Sequence, residues 1–423
     1  MIKHARASAT DDPGVRALAA VPQTHPESGA HKVFHEFGCG LSSYVPLSFM
    51  QLPTGLNFPY LRTTDWVRFL LRTNRMSFLT GEADRTDRHL LLMSFWEHYA
   101  VLNPTHPIYE EASAGRILLH EAVPCFMHGD EGRGFKKTGV LIVSSHGALG
   151  VGCSRGVQKA GPSFAVEDMC LNMIGHSLTR QLVYAVMPQR MYKKDVGSYH
   201  KLLDQYAQEM RDLFYKGVEE AGQRVHLVTL AVKGDSPFLA KAACMTRSFA
   251  NGPKAESSRK LLPGICWQCQ AGKESHPFPV PWEDLSREAA WIKTINADEA
   301  WEAPGGKLLQ IPHSPNLRPQ FYQIDLWHAF HLGVGKCFLA SSILTLLPHI
   351  AGNNMEQKLE DTLTKDMRTY CKRHKLSPYI SAISKDTVGY QKKTPTGSWS
   401  KANTTTVLMK WFESYLGRCF KDT

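Results

Sequence analysis

Two aspartates lie directly after apolar, strand-like runs and have the side chains best suited to metal chemistry. Asp130 follows residues 122–128 in a Gly-Asp-Glu-Gly turn, and Asp235 follows the apolar residues 225–232. Open α/β sheets hold ligands and metals at the carboxyl ends of such strands. The alternative is a pair of surface loop aspartates, with Asp235 capping the helix that Ser236-Pro237 opens.

A second group of candidate ligands consists of a Cys-Trp-Gln-Cys sequence and two histidines. Cys266 and Cys269 have a spacing that lets two thiolates share one zinc ion, but a zinc site needs four ligands. His328 and His331 follow Asp325 at three-residue intervals, so the three share one helix face. Two interpretations stay open and equal on spacing. Either a zinc site joins the cysteines to one or both histidines, or the histidines hydrogen-bond to Asp325.

The elements that would position the aspartates follow the order β-β-β-α-β. The predicted strands are residues 122–128, 138–145, 181–187 and 225–232, with a helix over 198–222 before the last strand. Three antiparallel strands, a crossover helix and a parallel fourth strand give a ribonuclease H-like mixed sheet, in which the first and fourth strands are neighbours. This topology would bring Asp130 next to Asp235. Two adjacent carboxylates repel unless a cation joins them, and Mg²⁺ prefers oxygen ligands.

Composition limits the classes of protein that the chain can belong to. It has 423 residues, of which 43% are apolar, and a net charge of +10. The length allows two or three domains, and the charge permits a polyanionic partner without requiring one. Ten cysteines are scattered with one close pair, and no signal-like segment or apolar run of about 18 residues is evident. We expect an intracellular protein with reduced thiols and no membrane association.

The order of patterns predicts five segments. Residues 1–62 are expected to be disordered or irregular, 63–116 helical, 117–250 the α/β core, 251–345 an extension of the core with the Cys-x-x-Cys and Asp-x-x-His motifs, and 346–423 helical. Helical segments are thus expected at both ends of the core. Six arginines of the first helical segment form a solvated basic face rather than a DNA contact: Arg62, Arg68, Arg72, Arg75, Arg85 and Arg88.

The ordered motifs resemble those of eukaryotic cut-and-paste DNA transposases. They are Gly234-Asp235-Ser-Pro-Phe-Leu-Ala-Lys241, the Cys-x-x-Cys pair, Asp325-Leu-Trp-His328, and a Leu-Gly-Val-Gly-Lys sequence that ends at Lys336. The segment 120–345 is similar to the CACTA-type and Kyakuja-Dileera-Zisupton-like groups. Each motif alone is weak, but their order is fairly specific.

The resemblance implies a ribonuclease H-like fold with a DDE/D triad that uses Mg²⁺. It gives Asp130 and Asp235 as the first two acids and a structural role for the accessory motifs. Candidates for the third acid are Glu356, Asp361 and Glu413, of which Glu413 is preferred because it lies in a helical pattern over 404–416. The Trp-containing segment 397–404 also resembles the sequence that precedes an inserted domain in related transposases, so the third acid would then lie beyond the chain.

Two hypotheses from different classes therefore stay open. The first is an active, Mg²⁺-dependent transposase that acts on double-stranded transposon ends in the nucleus, as a homo-oligomer by analogy with the family. The second is a transposase-derived module that binds DNA or protein without cleavage; a generic nuclease is a weaker third. In either case phosphate contacts would come from basic residues: Arg133, Lys136, Lys137, Lys372, Arg373 and Lys375. His276 is also near the cysteine pair in sequence.

Overall fold

The chain contains two compact units, which we describe separately. The computed structural model describes residues 2–8, 11–22, 24, 26–38, 44–133, 138–150, 180–249, 263–274, 279–301, 305–390 and 395–419. The units are Met1–Gln323 and Ile324–Thr423. Their boundary falls inside the predicted segment 251–345.

The first unit is a mixed α/β structure. Its strands are β1 Leu47–Gln51, β2 Asn57–Leu61, β3 Ala122–Arg133, β4 Gly139–Gly147, β5 Leu182–Pro188, β6 Val218–Glu220, β7 Gln223–Gly234 and β8 Tyr322–Ile324. Strands β1 and β2 form an antiparallel hairpin, and the others form a six-stranded sheet of order β5-β4-β3-β7-β6, with β8 paired to β7. Strands β4 and β5 run antiparallel to their neighbours, whereas β3 and β7 are parallel. The predicted mixed sheet is thus confirmed.

The described residues of the first unit also form helices. They are α1 Ile2–Ala7, α2 Pro13–Ala19, α3 Pro26–Glu36, α4 Thr63–Arg72, α5 Ser77–Thr80, α6 Arg85–Leu102, α7 Pro107–Ser113, α8 Val196–Tyr215 and α9 Ser236–Ala242. The first 62 residues, expected to be disordered or irregular, therefore contain three helices and the β1–β2 hairpin. Strong helix-start signals account for part of this, since Pro13 lies in the first turn of α2 and Asp12 accepts a hydrogen bond from the Val15 amide.

Helix α8 connects β5 to β7 and supplies much of the core. Its apolar positions recur at spacings of three and four and are buried: Leu202, Leu203, Tyr206, Met210, Leu213 and Phe214. The helix begins earlier than the predicted Ser198 cap, because the Asp195 carboxylate accepts the Gly197 amide at 3.0 Å and the Ser198 hydroxyl at 2.6 Å. Parallel neighbours such as β3 and β7 need a long crossover connection, which usually contains a helix, and α8 lies in the connection that leads to β7.

The second unit is helical. It contains π-helical segments at His328–Val334 and Gln357–Thr364 and four helices: α10 Gly335–Leu346, α11 Lys365–His374, α12 Lys385–Val388 and α13 Ala402–Cys419. Its core packs the buried side chains of α10, α11 and α13 together, with Trp411, Leu408 and Leu363 fully buried. The single long helix expected from Asp325 to about residue 347 is interrupted at Gly333 (φ −113°, ψ −110°). Glycine tolerates this backbone geometry because it lacks a Cβ.

One face of this interrupted helix is apolar and exposed. Leu326, Phe330, Val334 and Phe338 recur at four-residue intervals and are 76%, 46%, 71% and 66% exposed. The segment His328–His349 is also long and apolar enough to cross a membrane by length and composition alone, with 28% of it buried. Core helices of soluble proteins meet the same criterion, and the opposite face of α10 packs in the core of the second unit.

Candidate metal and nucleic-acid site

The two candidate aspartates directly follow the last residues that β3 and β7 pair with each other. Asp235 lies past the end of β7, but Asp130 lies inside β3, which continues to Arg133, and pairs with Ile142 of β4, so the expectation that Asp130 lies in a turn after the strand is wrong. Strand β3 pairs with β7 in a register that ends at Gly129 opposite Gly234. The next residues in the chain are Asp130 and Asp235. Adjacent strands lie about 4.8 Å apart, so the two backbones are close neighbours here. The β-β-β-α-β order thus brings together two residues that are distant in sequence.

Alternation along β3 places Asp130 on the face that carries Phe126 and Lys233. The Lys233 ammonium lies 4.4 Å from the ring centroid of Phe126, and the Phe126 ring lies 5.6 Å from that of His146. These three side chains therefore share one face. Side chains alternate along a strand, so Asp130 falls on the Phe126 side. Asp235 lies past the end of β7 with an extended backbone (φ −69°, ψ 163°). Burial, then Glu131, and more weakly Asp235, raise the pKa of Tyr199, so the Asp235 carboxylate acts on the ring that also contacts Lys241.

Asp235 also caps a helix. Its Oδ1 accepts a hydrogen bond from the Phe238 amide at 2.8 Å, at the start of α9. The capping alternative considered from the sequence is therefore present, but it does not exclude a ligand role, since a carboxylate has several lone pairs on two oxygens. Asp130 and Asp235 are both half-buried, which leaves each accessible to solvent.

The neighbouring acid, Glu131, points to the opposite face. Its carboxylate lies 3.8 Å from the Lys241 ammonium of α9. Lys241 in turn lies 4.3 Å from the ring centroids of Tyr192 and of Tyr199. Burial lowers the pKa of Lys241, and the Glu131 carboxylate opposes this shift. Alternation along β3 places Asp130 away from this cluster, so Glu131 is held by its own partners.

The predicted third acid lies in the second unit. Glu413 is an exposed residue of α13, a helix whose buried face includes Leu408 and Trp411. The other two candidates have partners there: Glu356 contacts Lys385 at 2.9 Å and Asp361 contacts Lys365 at 3.0 Å. Among the described residues, no group of three or more His, Cys, Asp or Glu side chains could hold a metal ion.

The cysteine pair is formed within the first unit, and both cysteines are free thiols. The hydrogen bond between them lowers the pKa of Cys266 and raises that of Cys269. The Gln268 amide also contacts the Cys266 sulfur at 3.4 Å, and the Arg247 guanidinium donates to the Cys266 carbonyl at 2.9 Å. Two thiols supply half of a four-ligand zinc site. The part of the chain that the structure describes does not add a third ligand.

The two histidines proposed as zinc ligands have hydrogen-bond partners within the second unit. His328 Nδ1 lies 2.8 Å from Asp325 Oδ2, and His331 Nδ1 lies 3.3 Å from the Trp327 carbonyl. Asp325 Oδ1 accepts the Trp327 amide at 2.8 Å, which is the expected capping role. The hydrogen-bonding alternative therefore holds for His328, while His331 bonds to a backbone carbonyl instead. Both histidines are half-buried rather than buried.

The predicted phosphate contacts are only partly described. Lys372, Arg373 and Lys375 are exposed around the end of α11. Lys136, Lys137 and His276 lie outside the described residues, as does the Arg133 side chain. Of the six predicted basic residues, the structure therefore describes the side chains of Lys372, Arg373 and Lys375.

Comparisons of the chain with known protein families, with curated proteins and with solved structures found no match.

Proposed function

We propose that this chain is a cut-and-paste DNA transposase with a ribonuclease H-like core, in which Asp130 and Asp235 bind Mg²⁺. One observation supports the proposal most strongly: β3 and β7 are parallel neighbours, and an aspartate directly follows the last pair of the register. The sheet has the strand order β5-β4-β3-β7, and α8 lies between β5 and β7 in the chain. The ribonuclease H-like fold is proposed from this order. The motifs that occur in the same order as in cut-and-paste transposases support the assignment to that class.

The donor atoms of the two aspartates fit a hard divalent cation. Both are carboxylates, both are half-buried, and each directly follows the Gly129–Gly234 pair that ends the register between β3 and β7. When bound there, Mg²⁺ would activate water and stabilise a leaving 3′ oxygen. The two side chains would position the cation and, through it, the phosphodiester. Glu413 is proposed as the third carboxylate.

Substrate, assembly and location follow from the resemblance. The substrate is double-stranded DNA at transposon ends, which is cleaved and then joined to a target by a 3′ hydroxyl. Two ends must be held together, so a homo-oligomer is proposed, acting in the nucleus. A structural zinc ion at the cysteine pair stays a prediction.

A Mg²⁺-dependent cleavage assay with matched aspartate variants tests the proposal. We expect Asp130→Asn and Asp235→Asn each to reduce DNA cleavage by the purified chain at least about 100-fold, since both carboxylates hold the cation. Asp212→Asn is the matched control, because Asp212 is an exposed acid of α8 paired with Lys216 at 3.0 Å. Equal activity in all four proteins would contradict the proposal. Glu413→Gln tests the third acid separately.

A second candidate function is a transposase-derived module that binds DNA or protein without cleaving it. The observation that favours it is that no group of three or more His, Cys, Asp or Glu side chains that could hold a metal ion is formed by the described residues. Under this hypothesis, duplex DNA binding persists in the wild type and in Asp130→Asn with equal affinity, and no product forms with Mg²⁺ or Mn²⁺. Measuring binding and cleavage on the same duplex separates the two functions.

A further inference from the structure

The second unit carries an apolar stripe that faces solvent. Four large apolar side chains at four-residue intervals are each at least 46% exposed: Leu326, Phe330, Val334 and Phe338. The neighbouring Trp327 is 47% exposed and widens the stripe. Soluble proteins rarely leave several large apolar side chains together in water, and such patches mark interaction sites.

The opposite side of this segment is fixed to the core of the second unit. The His331 carbonyl accepts a hydrogen bond from the Thr405 hydroxyl of α13, and Leu339 and Ile343 of α10 are buried. The stripe therefore cannot turn inward without breaking these contacts. It includes the π-helical segment His328–Val334, and such distortions frequently occur at functional sites.

The stripe and its surroundings carry little charge. Between Leu326 and Leu346, the sequence contains Lys336 and no other Lys, Arg, Asp or Glu. The centres of protein interfaces are likewise poor in charged residues and rich in aromatic ones. Helices that lie on a membrane surface carry several Lys or Arg residues on their polar face, which this segment lacks. The composition therefore favours a protein partner over a lipid surface.

The size of the stripe matches one half of a small symmetric interface. An aromatic side chain offers about 150–250 Å², so the exposed fractions of Trp327, Phe330 and Phe338 amount to roughly 300 Å². Leu326 and Val334, whose full burial corresponds to about 60–120 Å² each, raise this apolar area to roughly 450 Å². Two such faces and their polar rims reach the about 1,000 Å² that a specific interface needs.

We propose that two copies of this chain pair through the apolar stripe, with the two helices antiparallel. Because the four positions are equally spaced, a two-fold axis between Phe330 and Val334 superimposes the stripe on itself. Leu326 then packs against the partner's Phe338, and Phe330 against the partner's Val334. Antiparallel helices also place opposite dipole ends next to each other. The pairing gives a surface to the homo-oligomer of the proposed function, but it rests on the exposed stripe and not on the metal site.

Sedimentation velocity of the purified full chain tests this pairing. We expect a monomer–dimer equilibrium at concentrations of roughly 10–100 µM, because small interfaces bind weakly. Leu326→Glu and Val334→Glu should each weaken dimerisation at least about 100-fold, since the two-fold symmetry buries two added carboxylates in every dimer. A wild type that stays monomeric in this range would overturn the inference.

Two matched variants outside the stripe are the controls. Leu285→Glu and Val101→Glu change the same residue types at positions that are 86% and 79% exposed, so they should dimerise as the wild type does. All four substituted side chains are exposed, and each variant should therefore keep the wild-type circular dichroism spectrum. Equal dimerisation by all five proteins would show that the stripe is not the interface.

A pair of charge variants tests the antiparallel arrangement. Leu326→Glu and Phe338→Lys should each dimerise poorly alone, whereas their equimolar mixture should form a heterodimer, because the added carboxylate and ammonium then face each other. In a parallel pair the two added charges would lie at opposite ends of the interface. A mixture that dimerises no better than either variant alone would contradict the antiparallel pairing.

A lipid surface gives a different result from a second copy. Vesicles of equal parts phosphatidylcholine and phosphatidylserine are the probe, in a flotation assay. A monomeric wild type that floats with these vesicles, when Val334→Glu does not, would assign the stripe to a membrane and overturn the inference. The cleavage proposal fails or stands separately, because Asp130→Asn should dimerise as the wild type does.

Discussion

Asp235 caps a helix, and the proposed function gives it a second role as a metal ligand. The strand pattern and the Ser-Pro start of α9 predicted its position, and the structure places its Oδ1 on the Phe238 amide. Residue spacing alone does not predict the hydrogen bond from the Phe238 amide to Asp235 Oδ1, because this bond depends on the extended backbone at Asp235. A single side chain thus directly follows a strand and caps a helix.

Two substitutions at Asp235 can distinguish its capping role, which affects stability, from its proposed role in cleavage. Asparagine caps helices about as well as aspartate, whereas alanine costs roughly 1 kcal/mol. We expect Asp235→Asn to keep the free energy of unfolding near that of the wild type and Asp235→Ala to lower it by about that amount, as measured by urea unfolding. The proposed cleavage should be lost in both. Equal stability of the two variants would contradict the capping role.

His106 should make the stability depend on pH. This residue is 2% exposed and caps α7 by accepting the Ile108 amide at Nδ1. Burial, and then His313, lower its pKa to about 3 from an ordinary 6.5. Because the unfolded chain binds the proton first, the stabilisation is complete above pH 6.5 and is lost as the pH falls toward 3.

The pH effect can be measured by urea unfolding between pH 6.5 and 4. His106 alone contributes a slope of up to about 1.4 kcal/mol per pH unit, and we expect His106→Asn, which keeps a capping oxygen, to show a correspondingly smaller slope. His98→Asn, at an exposed position of α6, is the control and should leave the slope unchanged. An unchanged slope in His106→Asn would contradict the assignment.

Among single residues, sequence reasoning failed most clearly at Arg88. The arginines of α4 and α6 were interpreted as one solvated face, yet Arg88 is buried and Arg85 is exposed. The helix period identifies which residues share a face, but burial also depends on the strand ends that pack there. Only the tertiary structure brings Gln223 to the Arg88 guanidinium.

At the scale of elements, the strands of the central sheet were predictable and the helix distortions were not. Apolar runs predict β4, β5 and β7 to within about two residues, because burial on both faces demands such runs. The predicted end of β3 at residue 128 is too early, because the polar sequence from Gly129 to Gly132 continues the pairing with β4 up to Arg133. The β1–β2 hairpin is not predicted, because Pro59 lies within β2 and Pro53 lies in the turn that precedes it. The π-helical segment at His328–Val334 has no sequence period of its own.

The packing of α9 on the sheet depends on two glycines. A Cβ at Gly129 would lie 1.9 Å from the Phe238 ring, and one at Gly234 would lie 2.4 Å from it. Neither position can take a side chain unless Phe238 moves. The Phe238 ring therefore packs α9 closely against Gly129 of β3 and Gly234 of β7, the residues that precede the two aspartates.

This contact predicts a strong effect of a single methyl group. Gly129→Ala should lower the free energy of unfolding by about 1–3 kcal/mol, because the core has no space for it. Gly132→Ala in the same strand is the control, since a Cβ there meets only Val140 at 4.0 Å. Urea unfolding measures both, and similar values for the two variants would contradict the packing argument.

For the whole molecule, the net charge of +10 predicts salt-sensitive DNA binding. Each phosphate neutralised by a cation contributes about −0.9 to the slope of log K against log salt. Replacing exposed Lys372, Arg373 and Lys375 by alanine should reduce the slope by up to about 3 if all three contact phosphates. Fluorescence anisotropy with a labelled duplex at several salt concentrations measures this slope.

A control triple variant distinguishes contact from total charge. Arg116, Lys216 and Lys365 each pair with a nearby acid, at 2.6, 3.0 and 3.0 Å. Their replacement by alanine removes the same number of charges and should leave the slope nearly unchanged. An equal reduction by both triple variants would mean that only net charge matters.

The cap at Asp235 also makes helix α9 a reporter of its own neighbourhood. The Phe238 amide donates to the Asp235 carboxylate oxygen Oδ1 at 2.8 Å. An ion bound to this oxygen would draw negative charge from it and weaken the hydrogen bond that it accepts from the Phe238 amide, so we expect the first turn of α9 to loosen when the ion binds. Hydrogen exchange at the Phe238 amide would then accelerate upon Mg²⁺ addition, which links occupancy of the strand ends to a local backbone motion.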